Sequence, residues 1–548
     1  VRGHRRELAV RRRGPAFVTW WQPGVLYQIY PRSFADSNGD GIGDMDGITG
    51  HLDHLRGSPG SLGVDAIWIS PFFRSPGADF GYDVSDYTDI DPVYGDLAAF
   101  DRLLAAAHER GLRVLLDLIP GHTSVEHPWF RAARSSRTDP HRRLYIWADP
   151  TPDGGPPNGW TSTFGGSAWE WDEGSGQYYL HSFYPEQPDL DWREPAVHER
   201  IGEVVRFWLQ RGVDGFRVDA IDRSIKDPLL RENPPALPGP RRFDSFRGQY
   251  HLWNKDRPET LDVVRSIRRS AERVKPGSLL LGESYIPIER LARYLGDHPG
   301  DAFDLVFDFP FLDSAWDAGA LRHAVEAAEA HFPPSGWPCR ALSNHDNPRH
   351  ATRFGRGSLR AAAMLSLTLR GTPVLYMGEE IGMADVPASA GEALDRAGRD
   401  AARTPMQWRD EPGAGFTSGE PWLRIGDTSS VNVADQAEDP GSLLSLYRRL
   451  IAERAASPAL ASGSYRGLDT SPESGVFAYV RESGTERSLV AIECRGRAGS
   501  HDLFAAARGS LPKTGRLALS TDTSRPSSDD LDLSHVDLAA NEGIIVSL

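Results

Sequence analysis

Gly215-Phe216-Arg217-Val218-Asp219 is a short apolar run that closes on a carboxylate. Amphipathic stretches with helical spacing flank it, Val197–Arg211 before and Leu261–Val274 after. The same alternation continues outward in both directions. Strand-like runs recur at Val25–Tyr30, Ala66–Ser70, Arg113–Leu118, Leu279–Glu283, Leu305–Phe309, Ala341–Asp346 and Val374–Tyr376, with further helical patterns at Leu97–Arg110, Ala320–Ala330 and Leu359–Leu369. Eight such runs alternating with helices predict an α/β fold with a parallel sheet, and eight is the number that closes a (β/α)8 TIM barrel.

The third and fourth runs are unusually far apart. The stretch between them, about His122 to Trp192, is rich in Trp, Tyr, Gly and Pro and reads as a small inserted domain over the barrel mouth. Past Leu450 the pattern changes to short runs bounded by Gly, Ser and Asp: Ser464–Leu468, Gly475–Arg481, Ser488–Cys494, Gly515–Leu519 and Gly543–Leu548. These predict a C-terminal antiparallel β domain. The expected organisation is a disordered or over-extended start (1–19), a barrel (20–121 and 193–455), the inserted domain (122–192) and the β domain (456–548).

Composition narrows the function classes. The chain has 548 residues, 39% of them hydrophobic and 25% charged, which is ordinary for a soluble globular protein. Its net charge of −15 disfavours a nucleic-acid partner. No apolar run is long enough to span a membrane, and the arginine-rich start lacks the apolar core of a secretory signal, so the expected location is cytoplasmic. Only Lys226, Lys255, Lys275 and Lys513 are lysines, none in a Gly-rich phosphate loop. Cys339 and Cys494 lie far apart and match no metal or redox spacing, so buried thiols are expected.

Chemistry concentrates at the ends of the runs. Asp117, Asp219, Glu283 and Asp346 each end or follow one, and a closed parallel barrel brings all strand C-termini to one face. Carboxylates gathered there suit an oxocarbenium-like transition state: one attacks, one protonates the leaving oxygen, a third stabilises charge. Arg217 would point to the same side as Asp219 and keep it ionised. His122 and His345 flank the same mouth without a partner at metal-ligand spacing, so zinc is not expected. Trp160, Trp169, Trp171 and Trp192 invite a sugar-stacking role, but packing is the commoner use of tryptophan.

Asp36-Ser37-Asn38-Gly39-Asp40-Gly41-Ile42-Gly43-Asp44 places oxygen side chains at alternate positions around turn glycines, the pattern of a calcium loop. It lacks the terminal Glu of an EF-hand. A metal-free Asx turn is the competing reading.

Several blocks, taken in order, resemble the α-amylase family of glycoside hydrolases: Asp117 through His122, Gly215–Asp219, Leu281-Gly282-Glu283-Ser284 and Leu342-Ser343-Asn344-His345-Asp346. Gln187-Pro188-Asp189-Leu190-Asp191 resembles a block of its oligo-1,6-glucosidase and α-glucosidase branch. So do Ile29–Phe34, Gly81–Val84, Gly371–Pro373 with Gly378–Glu380, and Arg403–Trp408. The resemblance implies a retaining two-step mechanism with Asp219 as nucleophile, Glu283 as general acid/base and Asp346 as transition-state stabiliser. It also implies substrate contacts from Tyr82, Asp83, His122, Phe164, Gln187, Arg217, His345 and Arg403. A structural calcium or magnesium ion is implied at Asp36, Asn38, Asp40, the carbonyl of Ile42 and Asp44, with no organic cofactor.

Two positions depart from the family pattern: Gly121 stands where Asn is usual, and Asp191 ends the branch block in place of Asn. At Ala220 the branch tends to carry Val in enzymes cleaving α-1,6 links and Ala or Thr in those cleaving α-1,4 links. The expectation is therefore an exo-acting α-glucosidase on short α-glucosides, leaning α-1,4, as a monomer or homodimer. A glucosyl transferase or isomerase is the alternative. A catalytically inactive sugar-binding or transporter-associated subunit is more remote, because all three carboxylates are present.

Overall fold

The computed structural model describes residues 19–237, 243–333, 335–389, 391 and 393–548. The arginine-rich start through residue 18 lies outside the described residues, and so does the expectation that it is disordered. Eight parallel strands close into a barrel: β1 (Leu26–Ile29), β2 (Ala66–Ile69), β3 (Arg113–Leu118), β4 (Gly215–Val218), β5 (Leu279–Gly282), β6 (Leu305–Phe307), β7 (Pro338–Ala341) and β8 (Thr372–Tyr376). Leu26 pairs with Ala66 on one side and Val374 on the other, which closes the ring. Nearly every barrel-strand position is buried, as expected where a parallel sheet is covered on both faces.

Local signals set the helices between them. The helix Pro195–Arg211 starts with proline at its first turn and Glu194 accepting from the Ala196 amide; it stops at Gly212, whose φ of +115° ends it in a left-handed turn. Asp96 and Asp317 cap the helices Leu97–Glu109 and Ala318–His331 in the same way.

One strand lies elsewhere than expected. The seventh was anticipated over Ala341–Asp346, and it runs instead over Pro338–Ala341. Proline at its first residue and Arg340 inside it disguise the strand in sequence. Arg340 is nonetheless buried, held by the Asp308 carboxylate at 3.3 Å. Asn344 to Asn347 form a turn in which the Asn344 side chain accepts from the amides of Asp346 and Asn347, both at 2.9 Å.

The stretch between β3 and β4 contains a three-stranded antiparallel sheet of Trp147–Ala148, Gln177–Leu180 and Trp169–Asp172. Trp160 and Trp169 are packed with Ala148, Ala168 and Leu180 in a small core, so packing is their role. Trp192 is buried too, whereas Trp171 is part-exposed. After the barrel comes a six-stranded antiparallel sheet with the order Ser464–Gly467, Val476–Ser483, Glu486–Glu493, Gly543–Ser547, Thr514–Ser520, Leu531–Asp532. Both cysteines are buried and free. Among the described residues no helix is long and apolar enough to cross a membrane.

Gly215 opens β4 where that strand presses on β5. A Cβ there would lie 2.2 Å from the Leu279 carbonyl oxygen, an atom of the backbone that cannot swing aside. Gly215→Ala is expected to cost about 1–3 kcal/mol as overpacking, read by urea unfolding; undiminished stability would contradict the Gly215–Leu279 register.

Candidate active site

The barrel strands deliver their terminal residues to one cavity of about 970 Å³. Asp219, Glu283 and Asp346 all line it. Beneath them lies Arg217, almost wholly buried on β4. Its Nη1 contacts Asp219 Oδ1 at 2.7 Å and also Asp117, and its Nη2 contacts Glu283 Oε1 at 2.6 Å. The other oxygen of Glu283 accepts from the Ala220 amide at 2.9 Å. Ala220 adopts a left-handed φ of +38°, which turns the chain sharply away at the end of the strand.

These surroundings separate the carboxylates. Burial pushes Glu283 up to about 8, with Arg217 opposing and the charges on Asp219 and Asp346 adding to the rise. Burial also pushes Asp219 up, to about 7, against the pull of Arg217 and with Asp117 adding. Burial thus raises both members of the pair, and Arg217, which both contact, opposes the rise in each. Burial would raise Asp346 as well, but His345, Arg399 and Arg403 outweigh it and hold that carboxyl well below the usual range.

Three expected substrate residues, Tyr82, His122 and Phe164, line the cavity, as does Ala220. Gln187, Arg217, His345 and Arg403 stand behind the wall and hold it. Gln187 Nε2 donates to Asp79 at 3.0 Å and lies 3.0 Å from His122 Nε2. His345 meets the Tyr82 hydroxyl at 2.6 Å, and Arg403 donates to Asp346 at 3.0 Å.

For two of the expected contacts, a residue four positions earlier lines the cavity instead. Asp83 does not line the cavity: it is fully buried, accepting from the Ser75 hydroxyl and the amides of Ala78 and Asp79. The carboxylate that faces the cavity is Asp79, four residues earlier in the same stretch. Likewise Arg403 is fully buried and does not line the cavity, whereas Arg399, four residues earlier, does, and it reaches Asp79 at 2.6 Å and Asp346 at 3.1 Å. Both missed residues sit beside quoted motifs, and only side-chain direction distinguishes them from their neighbours. Asp395 steadies Arg399 through its Nε at 2.8 Å.

Two segments wall the cavity from outside. The loop after β4 is tied to the inserted region: Asn158 Nδ2 donates to the Leu230 carbonyl and Trp160 Nε1 to that of Arg231, both at 2.9 Å. Arg396 joins the segment carrying Arg399 to Glu186 at 3.1 Å. At the departure Gly121, a Cβ would meet nothing within 4 Å. The loop is braced instead by Trp192 Nε1 donating to the Pro120 carbonyl at 2.7 Å. Asp191 turns to the Arg193 amide at 3.0 Å.

With this geometry in view, the comparisons decide the family. A model of the alpha-amylase catalytic domain matches residues 28–463. The chain belongs to the α-amylase family. It is 42% identical, over 88% of its own length and 91% of the relative's, to a probable alpha-glucosidase of Rhizobium meliloti (strain 1021). Among solved structures it is similar to the alpha-glucosyl transfer enzyme XgtA, with a TM-score of 0.88 and 38% identity over 97% of this chain and 99% of that one. It is also similar to the trehalulose synthase MutB from Pseudomonas mesoacidophila MX-45, with a TM-score of 0.85 and 33% identity over 97% and 99%.

The loop Asp36–Asp44 offers oxygen donors only, the type a hard cation takes. In the structure Asp36 accepts from the amides of Asn38, Gly39 and Gly41 and from the Thr417 hydroxyl. Asn38 accepts from the Asp40 amide, Asp40 from that of Ile42, and Asp44 caps Gly47. Among the described residues no three His, Cys, Asp or Glu side chains gather as a metal requires, so the donors fit in chemistry but are not drawn together.

Removing the shared cation tests the electrostatics. Arg217→Met leaves buried carboxylates uncompensated, and breaking such a pair costs about 3–5 kcal/mol. Without Arg217 their folded-state values rise further above the unfolded ones, so the native state binds more protons. The loss is therefore expected to be largest near pH 8 and to shrink toward pH 5, by urea denaturation at each pH. An equal loss at both would contradict it. Asp79→Asn is expected to lower kcat/KM on α-glucosides at least a hundredfold, whereas Asp83→Asn acts first on melting temperature; the reverse ranking would restore Asp83 to the cavity.

Proposed function

We propose that this protein is a retaining, exo-acting α-glucosidase that releases glucose from the non-reducing end of short α-glucosides. The observation that carries the reading is the sharing of one buried guanidinium by Asp219 and Glu283 at the ends of neighbouring barrel strands. In retaining glycosidases the two carboxyl groups stand about 5–5.5 Å apart, against about 6.5–9.5 Å in inverting ones. A single arginine bridging both supports the closer arrangement.

In this mechanism ionised Asp219 attacks the anomeric carbon while Glu283 gives its proton to the leaving oxygen. Asp346, held ionised by Arg399 and Arg403, faces the developing positive charge. Glu283, now a carboxylate, then takes a proton from water as it breaks the glucosyl–Asp219 ester. Arg399 spanning Asp79 and Asp346 closes the end of the cavity, which supports recognition of one terminal glucose rather than an internal stretch of chain.

A second reading is transfer in place of hydrolysis. The solved relatives named above include a glucosyl transfer enzyme and a trehalulose synthase. Water and sugar compete for the same glucosyl intermediate, so this reading keeps every catalytic role above.

The linkage proposal rests on Ala220, which lines the cavity directly beyond the nucleophile. One methylene in a pocket is worth about 1–3 kcal/mol of discrimination. Maltose is expected to be cleaved faster than isomaltose, with Ala220→Val narrowing the gap. Its φ of +38° disfavours a β-branched residue, so the variant's melting temperature is read alongside. Products followed by NMR report linkage, anomer and transfer together. Asp219→Asn is expected to abolish turnover of every substrate; full activity in that variant, or release of β-glucose as the first product, overturns the mechanism.

The loop Asp36–Asp44 is proposed to take a calcium or magnesium ion with a structural role, supported by its all-oxygen donor set. Calcium is expected to raise the melting temperature over the chelated protein, and Asp40→Ala to remove that difference. No shift on adding either ion would leave the loop as a hydrogen-bonded turn.

A further inference from the structure

The outer half of the cavity holds a cation that the reaction above does not use. Arg223 follows the nucleophile by four residues, lines the cavity and is only 5% exposed. Its guanidinium makes no hydrogen bond or ion pair with any described residue, and its buried Nη1 has no acceptor. Two carboxylates lie close enough to influence it, Asp222 and Asp189. Asp189 is paired with Lys226 at 2.8 Å, and Asp222, which also lines the cavity, has Lys255 at 3.3 Å. What supports Arg223 is the face of Phe246, 5.0 Å from its guanidinium carbon.

The residue after Phe246 adds a second cation. Ser245–Phe246 and Gln249–Tyr250 form a two-residue hairpin whose tip, Arg247-Gly248, has φ of +49° and +78°. That is the sign pattern of a tight primed turn, and it costs an arginine strain that glycine would avoid. Arg247 also lines the cavity. Its one hydrogen bond is a long one, 3.4 Å from Nε to the Thr163 carbonyl, and it pairs with no carboxylate among the described residues.

An arginine does not shed its proton to escape burial, and an unmatched buried charge is costly. Arg223 is such a buried guanidinium, and the exposed Arg247 adds a second cation without a carboxylate partner to the same cavity, so that this place in a chain of net charge −15 suits a negative group. We propose that the aglycone side of this cavity recognises an oxyanion, with Arg223 as its principal ligand and Arg247 as a second, so that the preferred α-glucosides carry a carboxylate or a phosphate on the leaving group. The proposal rests on the α-glucoside reading above and names the substrate class for the same site. A planar guanidinium fork binds either oxyanion through paired N–H donors.

Matched substrates that differ only in the anion test it. Trehalose is compared with trehalose 6-phosphate, and α-glucosylglycerol with α-glucosylglycerate. The wild-type protein is expected to favour the anionic member of at least one pair by about tenfold or more in kcat/KM, the scale of a charge-assisted hydrogen bond. Which pair responds identifies phosphate or carboxylate. Arg223→Gln is expected to collapse that ratio and Arg247→Gln to reduce it, and Arg223→Lys to restore part of it if charge is what matters. Should Arg223→Gln fail to fold, the exposed Arg247→Gln and the Lys variant still carry the test.

Calorimetric binding of the same compounds to Asp219→Asn separates the two layers of the argument. Arg223-dependent binding of the anionic member without any turnover by the wild type would sink the hydrolase reading and keep the anion site. Turnover of α-glucosides with no preference for the anionic members, or a preference unchanged in Arg223→Gln, overturns the anion site alone.

Discussion

Arg217 is the interaction on which the site depends. One buried guanidinium on β4 holds Asp117, Asp219 and Glu283 from three neighbouring barrel strands. Three carboxylates forced together without it would repel and take up protons in turn. With it, attraction opposes a burial that still holds both Asp219 and Glu283 above the usual carboxylate range. Glu283 is raised by burial and by the charges on Asp219 and Asp346, and Asp219 by burial and by those on Asp117 and Asp346, with Arg217 lowering both. The barrel makes this possible because adjacent parallel strands bring their C-terminal residues within reach of one side chain.

Around that centre the wall is built from segments distant in sequence. Arg399 joins Asp79 to Asp346 and is itself fixed by Asp395, so the inner end of the cavity is a chain of ion pairs. Arg396 fastens the same segment to Glu186 of the inserted region. On the opposite side the loop after β4 is pinned to Asn158 and Trp160. The inner half is electrically matched in this way, and the outer half, at Arg223 and Arg247, is not.

The repeating strand–helix alternation made the barrel legible, because an apolar run and an amphipathic helix have different periods and neither depends on distant residues. The five expected C-terminal strands were legible for the same reason. The seventh strand was not: Pro338 and Arg340 broke the apolar pattern, and only the buried Asp308 partner explains an arginine there. Asp219, Glu283 and Asp346 were identified because they end or follow such runs, and topology carries those positions to one mouth. Asp79 and Arg399 were missed in favour of Asp83 and Arg403, which lie within the quoted motifs four residues later, since no local pattern tells which way a loop side chain turns.

By itself, then, the sequence determined seven of the eight barrel strands, the helices between them, their order and the set of carboxylates carried to the barrel mouth, all properties of short-range spacing. The tertiary structure alone decided which of two neighbouring aspartates and which of two arginines face the cavity, which carboxyls share one guanidinium, and which arginines are left without a carboxylate partner. Those outcomes depend on burial and on charges brought together from remote parts of the chain. Electrostatic energy at a few ångströms depends on such contacts, and a linear sequence does not contain them.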